Sequence, residues 1–217
     1  MQADEIYEDT RVRLTAFVRQ LGDDDLARPV PACPGWSVRD IVAHLAGLAA
    51  DLPAGRTEGM ATPEWTARQL EERVGRSLDE LLDEWAEHAP ALGRLLAEMT
   101  RVVPPVVDIV THEDDIRAAL GAPTALDSVG FDYALQAYVM ALDYRLRKKQ
   151  LPALRVRAGD EEWEVGEGEP TITLTTTPYD LFRTLSGRRS EAQVRADDWD
   201  GDPAPYIPVL STFGALP

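Results

Sequence analysis

Apolar residues recur at helical spacing along most of the first 150 positions and alternate with polar ones only after Pro152. Ile6, Leu14, Phe17, Val18 and Leu21 fall near a 3.6-residue period, which predicts a first helix over 3–21, ended by Gly22 and Asp23-Asp24-Asp25. Residues 26–36 read as a loop held by Pro29, Pro31 and Pro34. Ser37 and Asp40 form a capping-box pattern that opens a second helix, with Val38, Ile41, Val42, Leu45 and Leu48 on its apolar face. Residues 51–61 read as a loop with Pro53, Gly55 and Gly59. A long helical region follows from 63 to 99, broken near Gly75-Arg76-Ser77, where Ser77 and Glu80 repeat the capping signature. Leu78, Leu81, Leu82, Trp85, Leu92, Leu95, Leu96 and Met99 form its expected buried stripe, and Pro90 strains its middle. Pro104-Pro105 starts a helix to about 120 that Gly121 stops. A last long helix is expected over 127–150, with Val129, Leu135, Val139, Leu142 and Leu146 inward and Arg145, Arg147, Lys148 and Lys149 complementing its dipole.

The period then changes. Leu154-Arg155-Val156-Arg157-Ala158 alternates as a strand does, and Gly159-Asp160 turns it into Glu162-Trp163-Glu164-Val165, a hairpin. Thr171-Ile172-Thr173-Leu174-Thr175 is a third, β-branched strand. Pro178 starts a helix through about Ser186, and 193–217 reads mostly as loop with a short terminal helix. The expected organisation is a helical domain over 1–150 and a small α+β domain over 151–217.

Charge and composition narrow the function classes. The net charge of −16 repels phosphate backbones and anionic membranes, so nucleic-acid and lipid binding are not expected. No stretch approaches the roughly 20 apolar residues of a membrane span. The acidic start Met1-Gln2-Ala3-Asp4-Glu5 lacks the features of a signal peptide, which predicts a cytoplasmic protein; a monomer and a homodimer are both compatible with the sequence. Cys33 is the single cysteine, which rules out an intrachain disulfide; it reads as a small buried hydrophobe, with a nucleophile or metal ligand as the alternative. Lys148 and Lys149 are the only lysines among many arginines, a skew that suggests a GC-rich genome.

Two histidines carry the candidate chemistry. His44 lies within or beside the apolar face of the second helix, three residues from Ile41 and four from Leu48. Asp108 and His112 are four residues apart, so on a helix they share a face with Cβ atoms roughly 6 Å apart. Two imidazoles and a carboxylate suit zinc or a similar divalent ion and leave a position for water or substrate. Asp115, three residues after His112, is placed to orient an imidazole. Spacing alone equally allows two core histidines with one hydrogen bond each. His88, within Asp83-Glu84-Trp85-Ala86-Glu87, is expected to face solvent.

The stretch Pro31-Ala32-Cys33-Pro34-Gly35-Trp36-Ser37-Val38-Arg39-Asp40-Ile41-Val42-Ala43-His44-Leu45-Ala46-Gly47 resembles the signature of the mycothiol-dependent maleylpyruvate isomerase family. The resemblance continues in Glu64-Trp65-Thr66-Ala67, in Gly75–Trp85, in His112–Gly121 and in Leu185-Ser186-Gly187-Arg188-Arg189. It implies a DinB-like metal-binding four-helix bundle followed by a small C-terminal domain. It also implies a metal, zinc by default, on His44, Asp108 and His112, with Asp108 where the family typically has the longer glutamate. The implied co-substrate is mycothiol, the low-molecular-weight thiol of actinobacteria, acting on a small molecule. A zinc-bound thiol is deprotonated near neutral pH, and its thiolate can add to an activated double bond for cis–trans isomerisation or displace a leaving group in thiol transfer. Arg188 and Arg189 are candidates to hold a carboxylate of the thiol or substrate, or else stabilise a helix end. Asp115 and Arg188 are the candidate catalytic residues. Trp36 either lines the mouth of the site or anchors its loop. A non-catalytic metal or ligand binder on the same bundle is the alternative, and a scaffold with a decayed site is a third reading.

Overall fold

A computed structural model describes residues 1–99 and 103–214. Within unit Met1–Gly130, α1 (Ala3–Val18), α3 (Val38–Asp51), α5 (Leu78–Ala97) and α6 (Pro104–Leu120) form a four-helix bundle. Neighbours run α1–α5–α3–α6 around the ring, so α3 and α6 lie side by side. Two shorter helices, α2 (Asp23–Leu26) and α4 (Pro63–Glu71), both pack on α3. Helix α3 is the innermost element: every residue from Ile41 to Asp51 is buried. Among the described residues no helix is long and apolar enough to cross a membrane.

Local chemistry sets the ends of these helices. Ser37 Oγ accepts from the Asp40 backbone N–H at 3.2 Å, while Asp40 Oδ2 accepts from Ser37 N–H at 2.8 Å. That box fixes the first turn of α3 and so the height of His44 two turns later. Ser37→Ala is expected to cost about 1 kcal/mol, read as a lower urea midpoint; an unchanged midpoint would show that the cap does not set the start of α3. Gly121 ends α6 in the left-handed region at φ 64°, which a residue bearing Cβ adopts only with strain.

The loop before α3 folds on itself. Cys33 N–H donates to Val30 O at 3.0 Å, Trp36 N–H to Cys33 O at 3.0 Å and Val30 N–H to Trp36 O at 2.9 Å. Gly35 makes this turn possible with φ 86°. Cys33 and Trp36 are thereby held at the N-terminal approach to α3.

A partly buried ionic cluster ties the turn after α4 to α5. Arg73, 2% exposed in its side chain, presents Nε and Nη2 to Glu84 at 3.0 and 2.6 Å, and Arg76 Nη1 reaches the same carboxylate at 2.7 Å. Across the α1–α6 seam, Arg13 makes a two-pronged contact with buried Glu113 at 3.0 and 2.7 Å.

The second compact unit is Phe131–Pro217, built from most of α7 (Val129–Lys149), a four-stranded sheet and α8 (Pro178–Leu185), α9 (Glu191–Arg195) and α10 (Ile207–Leu210). Strands β1 (Pro152–Ala158), β2 (Glu161–Val165), β3 (Glu167–Thr176) and β4 (Asp198–Trp199) stand in the order β2-β1-β3-β4. The expected hairpin is present, with Leu154 opposite Val165 and Ala158 opposite Glu161. Strand β3 pairs in parallel with β1, a partnership that strand periodicity does not specify.

The structure departs from sequence expectation in three places. Asp23-Asp24-Asp25 does not merely stop α1; it forms the first turn of α2, because carboxylates stabilise a helix N-terminus. Leu95 and Met99 lie outside the buried α5 stripe, 36% and 45% exposed; Leu95 points about 60° from Leu92 and about 100° from Leu96, and Met99 lies past the last residue of the helix, Ala97. Val129 is likewise exposed, at the start of α7. The compact units meet at Gly130, whereas the sequence changes character at Pro152. Helix α7 goes with the second unit because Phe131 and Tyr138 pack on Phe182, ring centroids 5.0 and 5.6 Å apart, and Arg145 donates to Val209 O and Leu210 O.

Candidate metal centre

Helix α3 delivers His44 and helix α6 delivers Asp108 and His112, on adjacent sides of the bundle. His44 and His112 are 4% and 8% exposed, so both imidazoles sit in the interior. Asp108 Oδ2 lies 3.4 Å from His44 Nε2, and Asp108 Oδ1 lies 3.5 Å from His112 Nε2. All three ligand atoms fall within 4.8 Å of one another. A tetrahedral ion with bonds near 2.1 Å has ligand–ligand edges of about 3.4 Å. Each histidine–carboxylate spacing is close to one such edge, measured to Oδ2 of Asp108 from His44 and to Oδ1 from His112.

The remaining ring nitrogens are engaged elsewhere, which leaves the Nε2 atoms for the cluster. His44 Nδ1 lies 2.7 Å from Gln69 Oε1. His112 Nδ1 lies 3.3 Å from Asp115 Oδ2, whose side chain is buried. Cys33 Sγ stands 3.6 Å from the same Asp115 oxygen and 3.9 Å from His112 Nδ1. The Trp36 ring sits 5.2 Å from His44 and 6.2 Å from His112 between centroids, and Trp65 meets His44 edge-on at 6.4 Å. Trp36 thus lines the site as well as closing its own loop. Aromatic walls of this kind restrict water and strengthen local electrostatics.

Burial alone lowers the His112 pKa, but the Asp108 charge, the Asp115 contact and Cys33 together outweigh it and push it up to about 10 from 6.5. His44 faces it from α3 and Cys33 from the preceding loop, and Tyr7 of α1 lies within electrostatic range of Asp108. In the metal-free protein the resulting proton-linked stability is complete below about 6.5 and is lost as pH rises through about 10. Urea midpoints of metal-free protein are expected to fall across that window, and to fall less in His112→Ala. A parallel fall in both proteins would locate the dependence elsewhere.

Sequence reasoning missed Gln69, and it favoured Cys33 as a packing residue over a nucleophile or metal ligand. Cys33 is instead half-buried beside His112 and Asp115, and those three form a second group with metal-ligand spacing. Thr111 turns its hydroxyl to Val107 O at 2.7 Å. His88 is half-exposed on α5 beside a surface hollow lined by Arg76, Glu80, Asp83, Glu84 and Glu87. Arg188 and Arg189 belong to the second unit. Arg188 Nη1 donates to Ser186 O at 2.5 Å and its guanidinium lies 5.4 Å from the Phe213 ring centroid. Arg189 forks onto Asp197 at 2.7 and 2.9 Å and also reaches Thr184.

Residues 7–107 match the family model described as the mycothiol maleylpyruvate isomerase N-terminal domain. Over those residues the chain is similar to that family's N-terminal domain. The match takes in the whole Cys33–His44 stretch and ends one residue short of Asp108. Two solved structures resemble the chain across both units: a mycothiol-dependent maleylpyruvate isomerase, 12% identical, and a histidine-to-alanine mutant of such an enzyme, 11% identical. Each has a TM-score of 0.58, with 91% of this chain and 91% of the other covered. At that identity the likeness establishes the maleylpyruvate isomerase fold. No curated protein matches the chain.

Proposed function

We propose that the chain is a metal-dependent, mycothiol-using isomerase or thiol transferase, with its ion on His44, Asp108 and His112. The observation that carries this reading is the closed triad of donors on neighbouring helices of a maleylpyruvate isomerase bundle, with histidine–carboxylate spacings of 3.4 and 3.5 Å. Zinc is the expected ion, since two imidazoles, one carboxylate and an open fourth position are a set it favours. When bound, it would supply the positive charge that keeps a small thiol deprotonated near neutral pH.

The chain's own residues do the rest. His44 and His112 present Nε2, and Asp108 balances part of the ion's charge. Asp115 holds the His112 ring through Nδ1 and so keeps Nε2 turned inward. Trp36 limits water around the reacting atoms. Arg188 and Arg189 of the second unit are the arginines suited to a carboxylate, and both already have partners in the protein, Ser186 O for Arg188 and Asp197 for Arg189. The solved relatives are named for a mycothiol-dependent maleylpyruvate isomerase, so an unsaturated cis-diacid is the first substrate class to try. A thiolate adding to the double bond, rotation about the resulting single bond and loss of the same thiolate leave all atoms balanced.

Loading the site must displace the proton held on His112, so zinc uptake is expected to release about one proton and to strengthen as pH rises. Calorimetry in two buffers of different ionisation enthalpy reads this directly, and buffer-independent heat would contradict it. The function itself is tested by supplying zinc-loaded protein with mycothiol and either a cis-unsaturated diacid, an epoxide or an alkyl halide. Turnover that needs both thiol and metal is expected. Zinc binding without turnover on any of the three would favour a ligand-binding role.

A further inference from the structure

We propose that Gln69 and Asp51 are positioning residues that hold His44 as its Nδ1–H tautomer, with the Nε2 lone pair aimed at Asp108 and His112. The inference rests on the metal reading above for its purpose, but its structural content does not need a metal.

Gln69 and Asp51 are both fully buried. Gln69 Nε2 lies 2.8 Å from Asp51 Oδ2 and Gln69 Oε1 lies 2.7 Å from His44 Nδ1. A carboxylate only accepts, so it demands the amide NH2. The carbonyl is then left for His44, and it can only accept, so the proton must be on Nδ1. Tautomer choice at His44 is thus set two residues away, at Asp51. Asp51 is in turn anchored by Arg56, whose Nε donates to Oδ1 at 2.6 Å. The α4 backbone is pinned as well, since Arg73 Nη1 donates to Gln69 O at 2.9 Å.

The relay depends on α3 and α4 lying very close. A Cβ on Gly47, one turn past His44, would sit 2.9 Å from Gln69 Cβ and 3.1 Å from its Cγ. Gly47 is in ordinary helical backbone, so its role is space. A methyl there must displace the Gln69 side chain, and Arg73 Nη1 at 3.1 Å is crowded as well.

The test has one arm without metal and one with Zn2+. In metal-free wild-type protein, NMR is expected to show a His44 Nδ1–H resonance protected from solvent exchange, and Gln69→Leu should lose it. With Zn2+ as the probe, Gln69→Leu is expected to bind 10–100-fold more weakly, and Gly47→Ala weaker than wild type without deleting any polar group. The double variant Asp51→Asn/Gln69→Glu swaps amide and carboxylate yet keeps an acceptor on His44 Nδ1. It should restore the protected resonance and return affinity to within about tenfold of wild type. A protected resonance retained in Gln69→Leu, with affinity within about threefold of wild type, overturns the inference while leaving the metal reading intact. A wild-type protein that takes up no Zn2+ yet loses the protected resonance in Gln69→Leu overturns the metal reading and keeps the relay.

Discussion

Replacing His112 with alanine is expected to abolish stoichiometric zinc binding. The loss should exceed the roughly 10–100-fold that removal of a mere supporting partner costs, because a ligand itself is gone. His112 is the hinge of the cluster: its Nε2 is 3.5 Å from Asp108 and its Nδ1 is 3.3 Å from Asp115. Alanine leaves His44 and Asp108 as two donors, too few for a closed zinc site. His88→Ala is the matched control, since His88 lies on α5 outside both candidate ligand groups, and it should retain full occupancy. Metal content after dialysis, measured alongside the urea midpoint, separates lost ligation from lost folding. Equal zinc in wild type and His112→Ala would remove α6 from the site.

The second large effect is expected at Asp108. Asp108→Ala should weaken zinc binding at least about 100-fold, because it deletes the one anionic donor and leaves two neutral imidazoles. Asp108→Asn keeps the shape but not the charge and should bind almost as poorly. Asp108→Glu is the discriminating variant. The 3.4 and 3.5 Å spacings show that the shorter carboxylate already reaches both imidazole nitrogens from α6. An added methylene therefore has to fold back, and Asp108→Glu is expected to bind less tightly than wild type but more tightly than Asp108→Ala. Titration with a competing chelator ranks the three variants. Asp108→Ala binding zinc as wild type does would take the carboxylate out of the ligand set.

The bundle was legible because its helices declare themselves locally. The capping boxes at Ser37 and Ser77 and the stop at Gly121 each act within one turn, so sequence spacing is enough to find them. His44 and His112 stood out for the same reason, as imidazoles at helical spacing among apolar residues. What stayed hidden depends on distance in space. Gln69 sits in Gln69-Leu70-Glu71-Glu72, an unremarked surface-like run, and only the α3–α4 approach at Gly47 brings it to His44. Cys33 read as packing because no local pattern reports that its loop folds back onto α6. The parallel pairing of β1 with β3 was equally invisible, since alternation fixes which face a residue takes and not which strand is its neighbour.

Anomalous scattering at the zinc absorption edge, from crystals of protein loaded with Zn2+, addresses the central claim most directly. One strong peak is expected within bonding distance, about 2.0–2.2 Å, of His44 Nε2, His112 Nε2 and an Asp108 carboxylate oxygen. No peak there, or a peak on Cys33, His112 Nδ1 and Asp115 instead, would contradict the account.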